Sequence, residues 1–270
     1  MKIADDNMIN MKWTDIQTAV DNKAIVLLPL GVIEEHGPQL CLGTDIYTAQ
    51  IICSKVKEGL EENGVKSIIA PPFYWGICQS TRGFLGSFNI RMETAENLVF
   101  DILKTLHDFG FNEVYGINAH GDIEQNILFM NSFKNAYEQI GLNASYCFRK
   151  EVLHHYGLTG NEEYICPVSP QEIIVSVAKE SDVHGGDIET AIINKYYPAY
   201  VDVNIAKKLP AITIESGKEM EWILGGKTKE MSKDGYIGNP SAYDQVKINE
   251  HIEDTANRYI EAISNKRKNV

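Results

Sequence analysis

The 270-residue chain lacks the marks of several large protein classes. Its five cysteines, Cys41, Cys53, Cys78, Cys147 and Cys166, are odd in number, widely spaced and form no CxxC pair. A zinc-thiolate site or disulfide framework is therefore not expected, and reduced thiols in a cytoplasmic setting are. The first residues, Met1-Lys2-Ile3-Ala4-Asp5-Asp6, hold no apolar segment of the kind a secretory signal needs. No apolar run approaches the roughly 20 residues that span a bilayer, so no membrane partner is expected. Neither a phosphate-cradling GxxxxGKS/T pattern nor a dinucleotide GxGxxG pattern occurs. Basic residues are also scarce, 25 against 37 acidic ones for a net charge of −12, and their only cluster is Lys266-Arg267-Lys268. That balance argues against nucleic acid as a partner.

What is present is ordinary for a globular protein, with 44% hydrophobic and 23% charged residues. A chain of this length buries roughly three quarters of its unfolded surface and can enclose a polar site. No repeat, low-complexity tract or linker interrupts it, and residues 1–270 read as one domain.

Apolar strands alternate with amphipathic helices. Ala24-Ile25-Val26-Leu27-Leu28-Pro29-Leu30, ending at Gly31, has the pattern of a strand buried on both faces. From about Thr44 to Leu60, Ile46, Ala49, Ile52, Cys53 and Val56 fall on one helical stripe. Ser67-Ile68-Ile69-Ala70 predicts a second strand, halted by Pro71-Pro72. Leu98, Val99, Ile102, Leu103 and Leu106 predict a helix over 94–109, which Gly110 stops. Glu113 to Asn118 reads as a strand, about Gln125 to Ile140 as a helix, and Ala144 to Phe148 as another strand. This alternation predicts an α/β fold with a mostly parallel sheet covered on both faces. Ligands of such sheets sit beyond the carboxyl ends of the strands, and the polar clusters of this chain fall there.

The first cluster is Glu34-Glu35-His36-Gly37-Pro38, with Leu42-Gly43-Thr44-Asp45 behind it. Carboxylates and a neutral imidazole suit a borderline or hard divalent cation without any thiol. Read alone, the segment serves equally as a polar loop capping a helix, with Thr44 or Asp45 as the cap. The second cluster is His120-Gly121-Asp122, where a small residue separates two donors that can face neighbouring ions. A lone histidine after a strand is more often a structural residue, but here five donors reach the same end of the sheet. Among Glu34, His36, Asp45, His120 and Asp122 one carboxylate can bridge, and the other four then give two ligands to each of two ions, with open positions for water and substrate. The third cluster, His184-Gly185-Gly186-Asp187-Ile188-Glu189-Thr190, offers His184 and Glu189 as a proton-transfer pair. Its alternative reading is a helix start capped by Asp187 with Glu189 in the first turn. His154-His155 reads as a surface pair, and Gly225-Gly226 as a turn.

These motifs, with Pro29-Leu30-Gly31-Val32-Ile33 before them and Gly235-Tyr236-Ile237-Gly238-Asn239-Pro240-Ser241-Ala242 near the end, resemble the creatininase (creatinine amidohydrolase) family. The resemblance spans about residues 25 to 245. It implies a three-layer α/β/α sandwich, a binuclear centre of zinc, manganese or similar ions such as iron or magnesium, and a homohexamer. By the same resemblance Glu34 and His120 hold one ion, His36 and Asp122 the other, and Asp45 bridges. His184 and Glu189 match positions used around substrate and proton transfer. Where many members carry Glu-His followed by Phe-Pro-Gly-Thr, this chain has Gln79-Ser80-Thr81-Arg82-Gly83-Phe84-Leu85-Gly86-Ser87. Its tryptophans are Trp13, Trp75 and Trp222, none within 76–221, where enzymes acting on creatinine place their lid.

The expected activity is hydrolysis of a small cyclic amide other than creatinine. A water between two cations, its pKa lowered from 15.7 towards roughly 7, is the expected nucleophile. Asp122 is the expected proton acceptor and His184 the donor to the leaving group. The alternatives are removal of a formyl group, cleavage of a peptide end, opening of an inositol-derived cyclic diketone, or a binding protein without catalysis.

Overall fold

In a strand, successive side chains point to opposite faces, and in β1 (Ile25–Leu30) both faces are apolar and buried. Val26, Leu28 and Leu30 enter one core layer, while Ile25 and Leu27 enter another. A strand of this kind must lie inside a sheet covered on both sides. The computed structural model, which describes residues 7–171, 175–177, 182–214, 222 and 228–268, has that arrangement. Strands β1, β2 (Ser67–Ile69), β3 (Glu113–Asn118), β4 (Asn143–Arg149) and β5 (Ile165–Val168) form a parallel sheet in the order β2-β1-β3-β4-β5.

The longer helices among the described residues are α1 (Trp13–Asp21), α2 (Thr44–Glu62), α3 (Met92–Asp108), α4 (Ile123–Ile140), α5 (Asp187–Tyr196) and α6 (Ile248–Lys268). On one face, Val99 and Leu103 of α3 and Leu128, Phe129 and Phe133 of α4 cover the sheet. On the other, Ile52, Val56 and Leu60 of α2 meet Ala256, Ala262 and Ile263 of α6. The result is a three-layer α/β/α sandwich. Each fully buried Leu, Ile or Phe contributes roughly 1.5–3 kcal/mol. Gly116 of β3 makes room for one of them, since a Cβ there would lie 2.5 Å from the Phe133 ring.

The strands and helices expected between residues 24 and 148 are all present, with ends shifted by a few residues. Helices α1 and α6 and strand β5 are additional. The turn expected at Gly225-Gly226 lies outside the described residues. His154 and His155 sit on an exposed 3-10 segment with ring centroids 3.9 Å apart, as a surface pair would. All five cysteines are free. Among the described residues, no helix is long and apolar enough to cross a membrane.

Strand order determines where a ligand can sit. The chain moves outward from β1 to β2, then returns past β1 to β3 and continues the other way. The connections after β1 and after β3 therefore leave in opposite directions and open a crevice between them, the usual ligand position in such sheets. Leu30 of β1 pairs with Asn118 of β3 at that edge. The loops leaving these two residues carry Glu34, His36 and His120.

Candidate metal centre

Three imidazoles meet in this crevice, and each commits one ring nitrogen to a backbone carbonyl. His36 donates Nδ1–H to the Glu34 carbonyl at 3.1 Å. His120 donates Nε2–H to the Ile77 carbonyl at 3.0 Å, and His184 donates Nε2–H to the Glu35 carbonyl at 2.7 Å. Such bonds fix the tautomer of a ligating histidine and leave the other nitrogen free. Here the free nitrogens are Nε2 of His36 and Nδ1 of His120 and His184, and all three face buried carboxylates.

Asp45, in the first turn of α2, lies between two of these rings. Its Oδ1 is 3.1 Å from Nε2 of His36, and its Oδ2 is 3.2 Å from Nδ1 of His120. Oε2 of Glu34 is 3.1 Å from the same His120 nitrogen. Two ligands bound to one tetrahedral ion at zinc-like bond lengths are about 3.3 Å apart. The observed separations are close to that. Oε2 of Glu34 and Oδ2 of Asp45 are buried without a hydrogen-bond partner, which is costly unless a cation satisfies them. Three sets place their donor atoms within 4.8 Å of one another: Glu34, His36 and His184; Glu34, Cys78 and His120; and His36, Asp45 and Glu189. The residues fit divalent cations.

Electrostatics agrees. Burial alone would raise the Glu34 carboxyl, but the His120 and His184 rings outweigh it and bring it down to about 2. Asp45 is lowered in the same way, against burial, by His36 and His120. Burial would lower the His36 and His120 imidazoles, yet Asp45 with Glu189, and Glu34 with Asp45, hold them well above their ordinary value. Protons then occupy the nitrogens where cations would bind.

Asp122 also has a structural part to play. Its Oδ1 accepts from the backbone N–H groups of Glu124 and Gln125 and caps α4, while Oδ2 accepts from the Gln79 N–H at 2.7 Å. With both oxygens engaged by backbone donors, it joins none of the three donor sets. Glu189 takes a place among the donors, its Oε1 lying 3.7 Å from Nε2 of His36. Asp187 and Glu189 do lie in the first turn of α5, but the helix caps fall on other residues than expected. Gly43 is the residue before α2, which frees Asp45 for the rings. Asp182, not Asp187, receives the first N–H groups of α5.

Sequence reasoning missed the supports. Gln125 of α4 accepts from the Ile77 N–H and donates to the Gly31 carbonyl, joining α4 to both loops. Asn118 donates to the His120 carbonyl at 2.7 Å and accepts its N–H at 3.1 Å. Fully buried Thr81 donates to Oε1 of Glu34 and receives the Ser87 hydroxyl. These two hydroxyls lie in the segment that departs from the family pattern, and Oε2 of Glu34 is left without a hydrogen-bond partner. Thr81→Val should weaken zinc binding on the Glu34–His120 side by roughly 10- to 100-fold. Thr81→Ser should restore it. Calorimetric titration reads the difference, and equal affinity in wild type and Thr81→Val would refute this support.

The late glycine-rich motif acts on His184. Ile237 exchanges backbone hydrogen bonds with His184 at 3.0 and 2.7 Å. Gly185 has φ +60°, and a Cβ there would lie 2.8 Å from the His36 carbonyl oxygen. Gly185→Ala should therefore destabilise the fold by about 2 kcal/mol or more, combining left-handed strain with a backbone clash. An unchanged denaturation midpoint would show that the clash relaxes freely. Trp222 is buried with its ring 5.8 Å from that of His184, so an aromatic wall arises from a position past 76–221.

The fold is a parallel α/β sandwich whose buried carboxylate–imidazole centre, at the strand-order reversal, could hold divalent cations. The creatininase family profile, described as creatinine amidohydrolase, matches residues 9–263, and the chain belongs to the creatininase family. It is 21% identical over 209 residues to the creatinine amidohydrolase of Pseudomonas putida, covering 75% of this chain and 76% of that one. Over 98 residues, 36% of this chain and 39% of the other, it is 30% identical to a mycofactocin precursor peptide peptidase of Mycolicibacterium smegmatis. A crystal structure of creatinine amidohydrolase superposes with TM-score 0.72 at 17% identity, covering 97% of each chain. A creatininase described as "Creatininase Mn" gives 0.67 at 17% identity over 96% of each, and a mutant of the Zn-Zn type gives 0.71 at 16% over 96% and 97%. The family relatives are hydrolases by name, an amidohydrolase and a peptide peptidase.

Proposed function

We propose that this chain is a binuclear metal-dependent hydrolase that opens a small cyclic amide other than creatinine. The observation that carries this reading is the Asp45 carboxylate, which offers one oxygen to His36 and the other to His120. Glu34 and His120 would hold one ion, His36 with Asp122 or Glu189 the other, and Asp45 both. When bound, two divalent cations, zinc or manganese with iron or magnesium as alternatives, supply an acidified water and a polarised substrate carbonyl.

The chain's own groups do the rest. His184 keeps Nε2–H on the Glu35 carbonyl and turns Nδ1 into the crevice, where it can pass a proton to the leaving nitrogen. Asp122, which anchors α4 and the Gln79 backbone, remains the candidate to accept the proton given up by the attacking water. Trp222 beside His184 offers a flat apolar surface to a planar ring. The altered segment 79–87 argues against creatinine itself.

Cleavage at a peptide end is a second reading, favoured by the higher identity, 30% against 21%, to the peptide peptidase over its shorter match. We retain the homo-oligomer, a hexamer in the resemblance, as part of the proposal. Exposed Tyr74, Trp75, Leu85 and Phe88 near the crevice suit a subunit contact. The test is metal analysis after chelator-free purification, with a panel containing a lactam, a formamide, a cyclic diketone and a short peptide. Two ions per chain and turnover of the lactam are expected. Turnover of the peptide alone would install the second reading, and a metal-free, inert protein would sink both.

A further inference from the structure

We infer that Cys78 supplies a sulfur donor to the ion held by Glu34 and His120, so that the two ions occupy chemically unlike positions. The inference rests on the binuclear reading above. Cys78 is fully buried, and its sulfur, a Glu34 carboxylate oxygen and a His120 nitrogen lie within 4.8 Å of one another. Oε2 of Glu34, fully buried and without a hydrogen-bond partner, lies 3.1 Å from Nδ1 of His120, a member of the same donor set. One short loop supplies three contacts to this side of the crevice. The Ile77 carbonyl orients His120, the Thr81 hydroxyl holds Oε1 of Glu34, and Cys78 stands between them in the chain. The thiol is held in place by donating to the Phe88 carbonyl at 3.0 Å.

The other donor set, His36, Asp45 and Glu189, has only nitrogen and oxygen. None of the other four cysteines joins a donor set among the described residues. Thiolate is a soft ligand that favours zinc, whereas imidazole and carboxylate also accept manganese or magnesium. The sulfur therefore biases one position towards zinc and leaves the other permissive. On ligation the S–H bond breaks, its proton passes to solvent, and a sulfur–metal bond forms. The Phe88 carbonyl loses that donor, and no electron is transferred.

Cobalt(II) loading reads the sulfur directly, because thiolate ligation adds a charge-transfer absorption in the near ultraviolet that nitrogen and oxygen donors lack. The expected result is that band in the wild-type protein carrying two cobalt ions, and its loss in Cys78→Ser with two ions still bound. The preference for zinc over manganese should fall by about tenfold or more in the variant. A wild-type protein with two cobalt ions and no band overturns the inference while leaving the binuclear reading intact, as does a band that survives in Cys78→Ser. A band with a single ion per chain sinks the pair but keeps the sulfur ligand, and a chain that takes up no cobalt sinks both. Should Cys78→Ser fold poorly, the wild-type spectrum decides alone.

Discussion

Asp45→Ala should abolish paired metal binding, and with it about a thousandfold or more of the hydrolytic rate. Asp45 gives one carboxylate oxygen to each imidazole, at 3.1 and 3.2 Å, so its loss removes a ligand from both positions at once. Metal ions in such sites contribute several kcal/mol of transition-state stabilisation, and about 4 kcal/mol is a thousandfold in rate. Asp45→Asn tests charge separately from volume, because it fills the same space with a weaker ligand. Without the carboxylate, His36 retains Glu189 at 3.7 Å and His120 retains Glu34 at 3.1 Å, enough to keep the rings in place. The measurement is metal content per chain by elemental analysis beside kcat on the best panel substrate. Two ions per chain with normal turnover in Asp45→Ala would rule the shared carboxylate out.

That test was accessible from sequence because donor clusters after two apolar strands imply convergence once the sheet is parallel. Strand β1 is apolar throughout and β3 is buried between its polar ends, Glu113 and Asn118, and α2, α3 and α4 carry clear stripes, so length and period identified them. Strand β5 contains Pro167 and has only four residues, too short and too interrupted to signal a strand. Helix α6 has 21 residues but spaces its buried positions, Ile252, Thr255, Ala256, Ala262 and Ile263, among many charges. Its stripe is thin and its tail, Lys266-Arg267-Lys268, reads as solvated. In the site, residue type alone does not separate a ligand from a cap. Asp122 precedes a helix, where aspartate is a favoured cap, and its carboxylate is engaged in that role. Glu189 in a first turn looked equally like a helix-start acid, yet Gly185 N–H holds its Oε2 at 2.6 Å and leaves Oε1 for His36. Thr81, Ser87 and Cys78 were illegible for another reason. Thr81 and Ser87 lie where the chain departs from its family's pattern and Cys78 directly precedes that segment, so only three-dimensional placement shows what they do.

The second large effect is on stability. Stripping the ions with a chelator should lower the melting temperature, and the drop should widen as pH rises from 6 to 8. Each ion present at a hundredfold excess over its Kd contributes about 2.7 kcal/mol, so two contribute about 5 kcal/mol. At roughly 2–4 °C per kcal/mol for a chain of this size, the expected drop is on the order of 10–20 °C. The pH dependence follows from what replaces the ions. In the stripped protein, His36 and His120 titrate well above 6.5 because buried carboxylates face them. Groups raised on folding stabilise the native state fully below their unfolded value and lose that contribution as pH climbs through the folded one. Glu34, lowered to about 2 from 4.5, works in the opposite sense and contributes above 4.5, fading only as pH falls towards 2. Between 4.5 and 6.5 both contributions are present, so protons substitute best for ions there. Above that window the proton-held contribution declines as pH climbs towards the raised folded values, and cations meet weakening competition from protons for the same nitrogens. Calorimetric melts of loaded and stripped protein at pH 6, 7 and 8 measure the gap. A gap that stays constant, or is absent, would mean that these imidazoles and carboxylates hold no ion.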